Sequence, residues 1–262
     1  MRTPDVFEQF ERNHWRLSDI DFSAVRMDLV GPESLAIAKG GIMGESNVIA
    51  AVHGFLNEFV DDYDFSTFAV VWGNQEVQHH LMFRRWLEAI GETVEAAPIE
   101  AMRQPYAPGT TPAATLATNI ISELTVNHIY RRVSSAIEEP VLRDLLHRAS
   151  LDEAGHAREF IHFCKDRLAR HPDETASVLE TLYVYTAGKD IKHPVSLFKN
   201  NLVELQDHET IDTAFELFLT QVADADELDE LQGKIRRVMG QLVGHDLSSN
   251  AKVRRALALA IA

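Results

Sequence analysis

Apolar residues recur at three- and four-residue intervals over most of the chain, and strand-like alternation is scarce. The pattern predicts an all-α protein. A first core helix is expected from about Glu45 to Val60 (ESNVIAAVHGFLNEFV), then an acidic turn, DDYDFS, and a second helix from Ser66 to about Ile90. GETVEAAPIEAMRQPYAPGTT follows as a Pro- and Gly-containing connection of about twenty residues, long for a loop inside a compact domain and suited to a crossover. Thr111 as N-cap and Pro112 in the first helical position start a third helix, which runs to Ile137. A fourth runs from Pro140 to about Arg170, ahead of HPD. Shorter helical segments near 174–188, 195–206, 209–223 and 226–243 and a basic tail complete the chain. No low-complexity segment interrupts it, so residues 1–262 read as a single domain.

One stretch breaks the simple pattern. In VVWGNQEVQHHLMFRRWLEAI, residues 70–90, Glu76 and His79 fall within a helix that otherwise carries an apolar face. Burying a carboxylate or an imidazole without partners is costly, so the sequence must supply partners, or a metal must sit there.

Composition narrows the classes. No apolar run reaches the roughly 18 residues that a membrane span requires, so no such span is expected. The N-terminus, MRTPDVFEQFERNHWRL, has charges where a signal peptide needs an apolar stretch. The single Cys164 rules out an internal disulfide. It also rules out an iron–sulfur cluster held by this chain alone, which takes about four thiolates. A cytoplasmic location and an external source of any electrons are the expectations. The formal net charge of −15 opposes binding to nucleic acid and to anionic membranes. An acidic partner would need a local basic patch. Candidates are Arg84 with Arg85, Arg131 with Arg132, Arg236 with Arg237, and Lys252 with Arg254 and Arg255. Arg84 and Arg85, one to two turns beyond His79, are the first choice.

The spacing E-x-x-H occurs four times, at Glu11/His14, Glu76/His79, Glu153/His156 and Glu159/His162. About one occurrence is expected by chance, so the bare motif is weak and context has to sort the four. Two of the pairs have a lone Glu on the preceding helix: Glu45 lies 31 residues before Glu76, and Glu123 lies 30 before Glu153. The two sets repeat with offsets of 78 and 77 residues. At i and i+3 the Glu and His of each motif share one helix face, within reach of the same ion. Two helical hairpins written E…ExxH match the ligand pattern of di-iron and di-manganese bundles, one Glu from each of two helices and Glu-x-x-His from each of the other two. Glu45, Glu76, His79, Glu123, Glu153 and His156 are therefore the expected ligands of two iron or manganese ions. Four carboxylates balance two divalent charges, and the lack of thiolate speaks against structural zinc.

WGNQEVQHH, RASLDEAGHAREFIHFCKDRLARHPD, IMGESNVIAAVHGFL and IISELTVNHIY resemble the ligand helices of the soluble acyl-acyl carrier protein desaturases. The resemblance covers about residues 10–170. D-E-x-x-H, with Asp152 before Glu153, is shared across the ferritin-like superfamily; Trp72, four residues before Glu76, Trp15 and the length of the chain favour the desaturase branch. The resemblance implies a ferritin-like four-helix bundle over about residues 44–170 with additional C-terminal helices. It also implies a di-iron, O2-dependent enzyme that introduces a cis double bond into an acyl chain on acyl carrier protein. A ferredoxin-like donor would supply electrons, and the protein would form a homodimer. NHWRLSDIDF resembles a family segment whose Trp, here Trp15, is thought to pass electrons inward through Asp152 and His79.

The chain departs from the family at one position. Where the family has a Thr three residues after the third-helix ligand, on the oxygen-binding side, this chain has Val126. Thr125 should point away, since two residues turn a helix by about 200°. Asn127, at i+4 from Glu123, is the nearby polar group. Val126 keeps another ferritin-like di-iron oxidase open, a hydroxylase or N-oxygenase; a non-catalytic iron store is the remaining alternative.

Overall fold

The computed structural model describes residues 3–102, 106–186 and 225–261. It is all-α, as the periodicity predicts: among these residues there are helices and turns and no strand. In chain order the α-helices are α1 (Thr3–Asn13), α2 (Pro32–Glu45), α3 (Val48–Glu58), α4 (Tyr63–Ala89), α5 (Ala96–Met102), α6 (Pro112–Ala136), α7 (Pro140–Arg170), α8 (Thr175–Thr186), α9 (Ala225–Val243) and α10 (Asn250–Ala260). Three short 3₁₀ turns lie between α1 and α2. The expected segments near 195–206 and 209–223 lie outside the described residues.

The long helices begin where local chemistry stops the chain from being anything else. Thr111 accepts the Ala114 N–H on its hydroxyl at 3.2 Å, and Pro112, which has no N–H to lose, opens α6. Ahead of α7 the buried Glu139 carboxylate takes the N–H groups of Val141 and Leu142, at 3.2 and 2.7 Å. Trp86 Nε1 and the Arg26 N–H add to the same carboxylate at 2.9 and 3.2 Å. Both helices match their expected starts.

Elsewhere the helix boundaries shift. The expected first core helix is present as α3, Val48–Glu58, and a helix that the periodicity did not announce, α2, precedes it from Pro32, behind Gly31. The glycines of α2, at positions 40, 41 and 44, blunt the apolar signal. Glu45 is the last residue of α2: the Ser46 hydroxyl donates back to the Met43 carbonyl at 2.7 Å, and α3 begins at Val48. The second helix starts at Tyr63, three residues early, because Asp62 accepts the Phe65 N–H at 3.1 Å and caps it. Part of the long connection is helical, as α5. The basic tail is also a helix, α10, capped by Ser249 on the Lys252 N–H.

The chain forms two compact units. Among described residues the first holds everything up to Tyr106 plus Ile129–Asp152, and the second holds Ala107–His128, Glu153–Thr186 and 225–261. In the first unit α1, α2 and α3 pack on α4. Gly73 makes one close approach possible, since a Cβ there would sit 2.4 Å from Val52. Phe55, Phe59, Phe65, Phe68 and Trp72 fill the interior. By length and composition alone the stretch Pro32–Glu58 is apolar enough to cross a membrane, and a third of its most apolar window is buried. In the second unit α8 packs against α9 and α10. There Glu174 accepts the Ala113 N–H at 2.9 Å and is held by Arg167, tying the start of α6 to the end of α7.

Candidate metal centre

In the first unit, Glu45 at the end of α2 and Glu76 and His79 on α4 offer ligand atoms that lie within 4.8 Å of one another. Glu76 and His79 are buried and Glu45 is half-buried. The i,i+3 spacing does what it implies: His79 Nδ1 lies 3.6 Å from Glu76. The other ring nitrogen, Nε2, is 3.2 Å from the buried Asp152 carboxylate. A carboxylate can only accept, so Nε2 carries the proton and the Nδ1 lone pair faces the two glutamates. This is how a protein sets a metal-binding imidazole, with a carboxylate fixing its tautomer from behind. Asp152 in turn accepts the Trp15 indole N–H at 2.7 Å, and Trp15 is buried.

In the second unit, Glu123 on α6 and Glu153 and His156 on α7 form a matching triad, again with ligand atoms within 4.8 Å of one another. All three are buried. His156 Nδ1 is 3.3 Å from Glu123 and 3.5 Å from Glu153.

Each triad brings two carboxylates and one imidazole together, all of them buried except the half-buried Glu45. Two like charges that close in a buried site strongly disfavour joint ionisation unless a cation or proton lies between them. A divalent cation cancels the two charges of one triad, and the donor set of oxygen with one nitrogen suits iron or manganese. The donor sets therefore fit a metal site. The one cysteine takes no part: Cys164 is buried against the Ala113 carbonyl, and burial, aided by Glu174, pushes its thiol up to about 12. The remaining E-x-x-H pairs do not join the triads. Glu159 is buried, but it faces Arg158 and His162 on its own helix, at 2.8 and 3.4 Å. Glu11 lies exposed on α1.

The other sequence candidates fall as follows. Trp72, one turn before Glu76, lies in the aromatic core with its ring 5.3 Å from that of Phe55. Val126 is half-buried and Asn127 is buried. Thr125 donates its hydroxyl to the Ile121 carbonyl at 2.7 Å and is hydrogen-bonded with Tyr185 of α8. Arg84 and Arg85 both reach Glu88, at 3.0 and 3.4 Å, and Arg85 also lies over the Phe22 ring. The pair thus presents less positive charge than its sequence suggests.

Two residues near the triads escaped the sequence reading. Tyr130 donates its hydroxyl to Glu45 in a short hydrogen bond. It stands seven residues after Glu123, two turns along the same face of α6, and that spacing was the available signal. Lys234 of α9 reaches Asn127, and nothing local announces it.

No protein-family model matches the chain, and a search of curated proteins found no match.

Proposed function

We propose that each of the two triads holds iron, and that the protein is an O2-dependent desaturase. It would introduce a cis double bond into an acyl chain held on acyl carrier protein, with electrons from a ferredoxin-like donor. The observation that carries this reading is the hydrogen-bonded series Trp15, Asp152, His79, with links of 2.7 and 3.2 Å. A metal site used only for storage or structure has no need of a tryptophan joined to a ligand. The doubled E…ExxH pattern supports a metal in each triad.

When bound, a pair of iron ions supplies the redox chemistry that activates oxygen. The residues of this chain do the rest. Asp152 keeps the proton of His79 on Nε2 and so directs Nδ1 to the metal side. Trp15 holds the Asp152 carboxylate and gives reducing equivalents a bonded route from the N-terminal segment. Tyr130 steadies Glu45, the one half-buried carboxylate of the set. Burial of the other glutamates and both histidines excludes water from the reacting groups.

A second reading, a hydroxylase or N-oxygenase on the same scaffold, is favoured by Val126, which brings no hydroxyl to the face beyond Glu123. One experiment separates the two. The iron-loaded protein is reduced and exposed to oxygen with acyl-carrier substrates, and products are weighed by mass spectrometry. Loss of two hydrogens supports the desaturase, gain of one oxygen supports the second reading, and an unchanged acyl chain across chain lengths refutes the first.

A further inference from the structure

Helix α10, NAKVRRALALA, carries three cations and no carboxylate in a chain whose net charge is −15. Val253 and Ala256 bury its inner face against the second unit, where α10 packs on α8. Arg254, Arg255 and Leu259 are exposed, and all three fall on the opposite arc of the helix. Lys252 is taken by Asp246, whereas neither arginine forms an ion pair. At the first turn of α10 a further guanidinium joins them: Arg236 of α9 reaches the Asn250 side-chain oxygen at 3.4 Å.

Part of this charge has a structural use. Asn250 donates to the Thr186 carbonyl at the end of α8, at 3.1 Å, and Arg254 lies over the ring of Tyr183, one turn earlier, at 5.6 Å. Cations are favoured at the carboxyl end of a helix, so Arg236 and Arg254 serve α8. That account does not reach Arg255, which makes no hydrogen bond, ion pair or ring contact. Leu259, one turn beyond Arg255, is 66% exposed. Arginine beside an exposed aliphatic side chain suits a protein partner, whereas a phosphate backbone would use the cation and leave the leucine in water. Arg84 and Arg85, by contrast, share Glu88.

Resting on the desaturase reading above, we propose that the outer face of α10 docks the acyl carrier protein. Arg254 and Arg255 meet its acidic side chains, and Leu259 meets an apolar one. The electron donor is assigned elsewhere, because the route it feeds begins at Trp15 in the first unit.

The rival account is that these arginines only neutralise the end of α8. Full-length wild type, Arg255→Glu and Leu259→Ala, each checked by thermal unfolding, are titrated into fluorescently labelled carrier protein that bears no acyl chain, at low and at high salt. Anisotropy reads the affinity, and omitting the acyl chain separates docking from occupation of the reaction site. Arg255→Glu should leave unfolding unchanged, as exposed side chains without partners do. It should weaken binding about fivefold at low salt and much less at high salt. Leu259→Ala should weaken it about threefold at both, since apolar burial is not screened. Equal affinities in all three proteins overturn the inference and leave the desaturase reading standing. Tighter binding of duplex DNA than of carrier overturns it in favour of a polyanion site. A wild type that binds no carrier overturns both the inference and the carrier-bound substrate.

Discussion

Trp15 donates its indole N–H to Asp152 at 2.7 Å, although 137 positions separate them in the chain. The same carboxylate oxygen lies 3.2 Å from His79 Nε2, so the tryptophan positions the imidazole at one remove. Asp152→Ala should lower iron affinity by about 10- to 100-fold, the usual effect of removing a carboxylate from behind a metal-binding histidine. Trp15→Phe keeps the packing and removes one hydrogen bond. It should cost about 1 kcal/mol of stability and leave iron content intact while slowing reduction by the donor. Stopped-flow reduction of the loaded variants checks both; a Trp15→Phe protein reduced as fast as wild type would remove Trp15 from the electron route.

Glu153→Gln should act with opposite signs in the two metallation states. Without metal it relieves repulsion from Glu123 inside the second triad and should raise stability by about 1 kcal/mol. With metal it removes a ligand charge, so the stabilisation that iron confers through mass action should shrink. Thermal unfolding of wild type and variant, with and without iron, provides the four values needed. A variant equally destabilised in both states would point to a packing role instead.

Glu174 sits apart from the triads and carries a pH dependence of its own. Burial raises its pKa, but hydrogen bonds from Arg167 and the Ala113 N–H, with the Arg167 charge, outweigh that and leave it below the ordinary value. A lowered carboxylate pKa contributes stability that is present above the unfolded value and lost as pH falls through the folded one. The contribution should therefore fade below 4.5. Arg167→Met leaves the buried carboxylate without its cation and should cost about 3 kcal/mol near neutral pH. Urea unfolding across that acid range should show the variant and wild type converging as pH falls; parallel curves would rule out this assignment.

Reversing Arg84 and Arg85 to Glu should raise the apparent KM for carrier-bound substrate, most clearly at low salt. Since Glu88 already engages both guanidinium groups, the effect should be modest, and Glu88→Gln should move KM the other way. A KM that follows salt identically in all three proteins would take this patch out of the docking surface.

The sequence by itself determined what depends on short range. Helical periodicity, the Thr111–Pro112 start of α6, the Pro140 start of α7 and the E-x-x-H spacings all act within one or two turns, where geometry is set by the 3.6-residue repeat. That was enough to name the members of both triads, because each Glu-x-x-His pair is a local object and its companion repeats at a nearly constant offset. Local signals misled where a side chain competes for the backbone, as Ser46 does after Glu45 and Asp62 does before Tyr63. The resemblance already implied a route from Trp15 through Asp152 to His79, but only the tertiary structure brought Tyr130 and Lys234 to their partners. Asp152 meets His79 across 73 positions, Tyr130 meets Glu45 across 85, and Lys234 meets Asn127 across 107. No helical period relates such positions. Their meeting depends on how buried helices pack and which polar groups that burial obliges to pair.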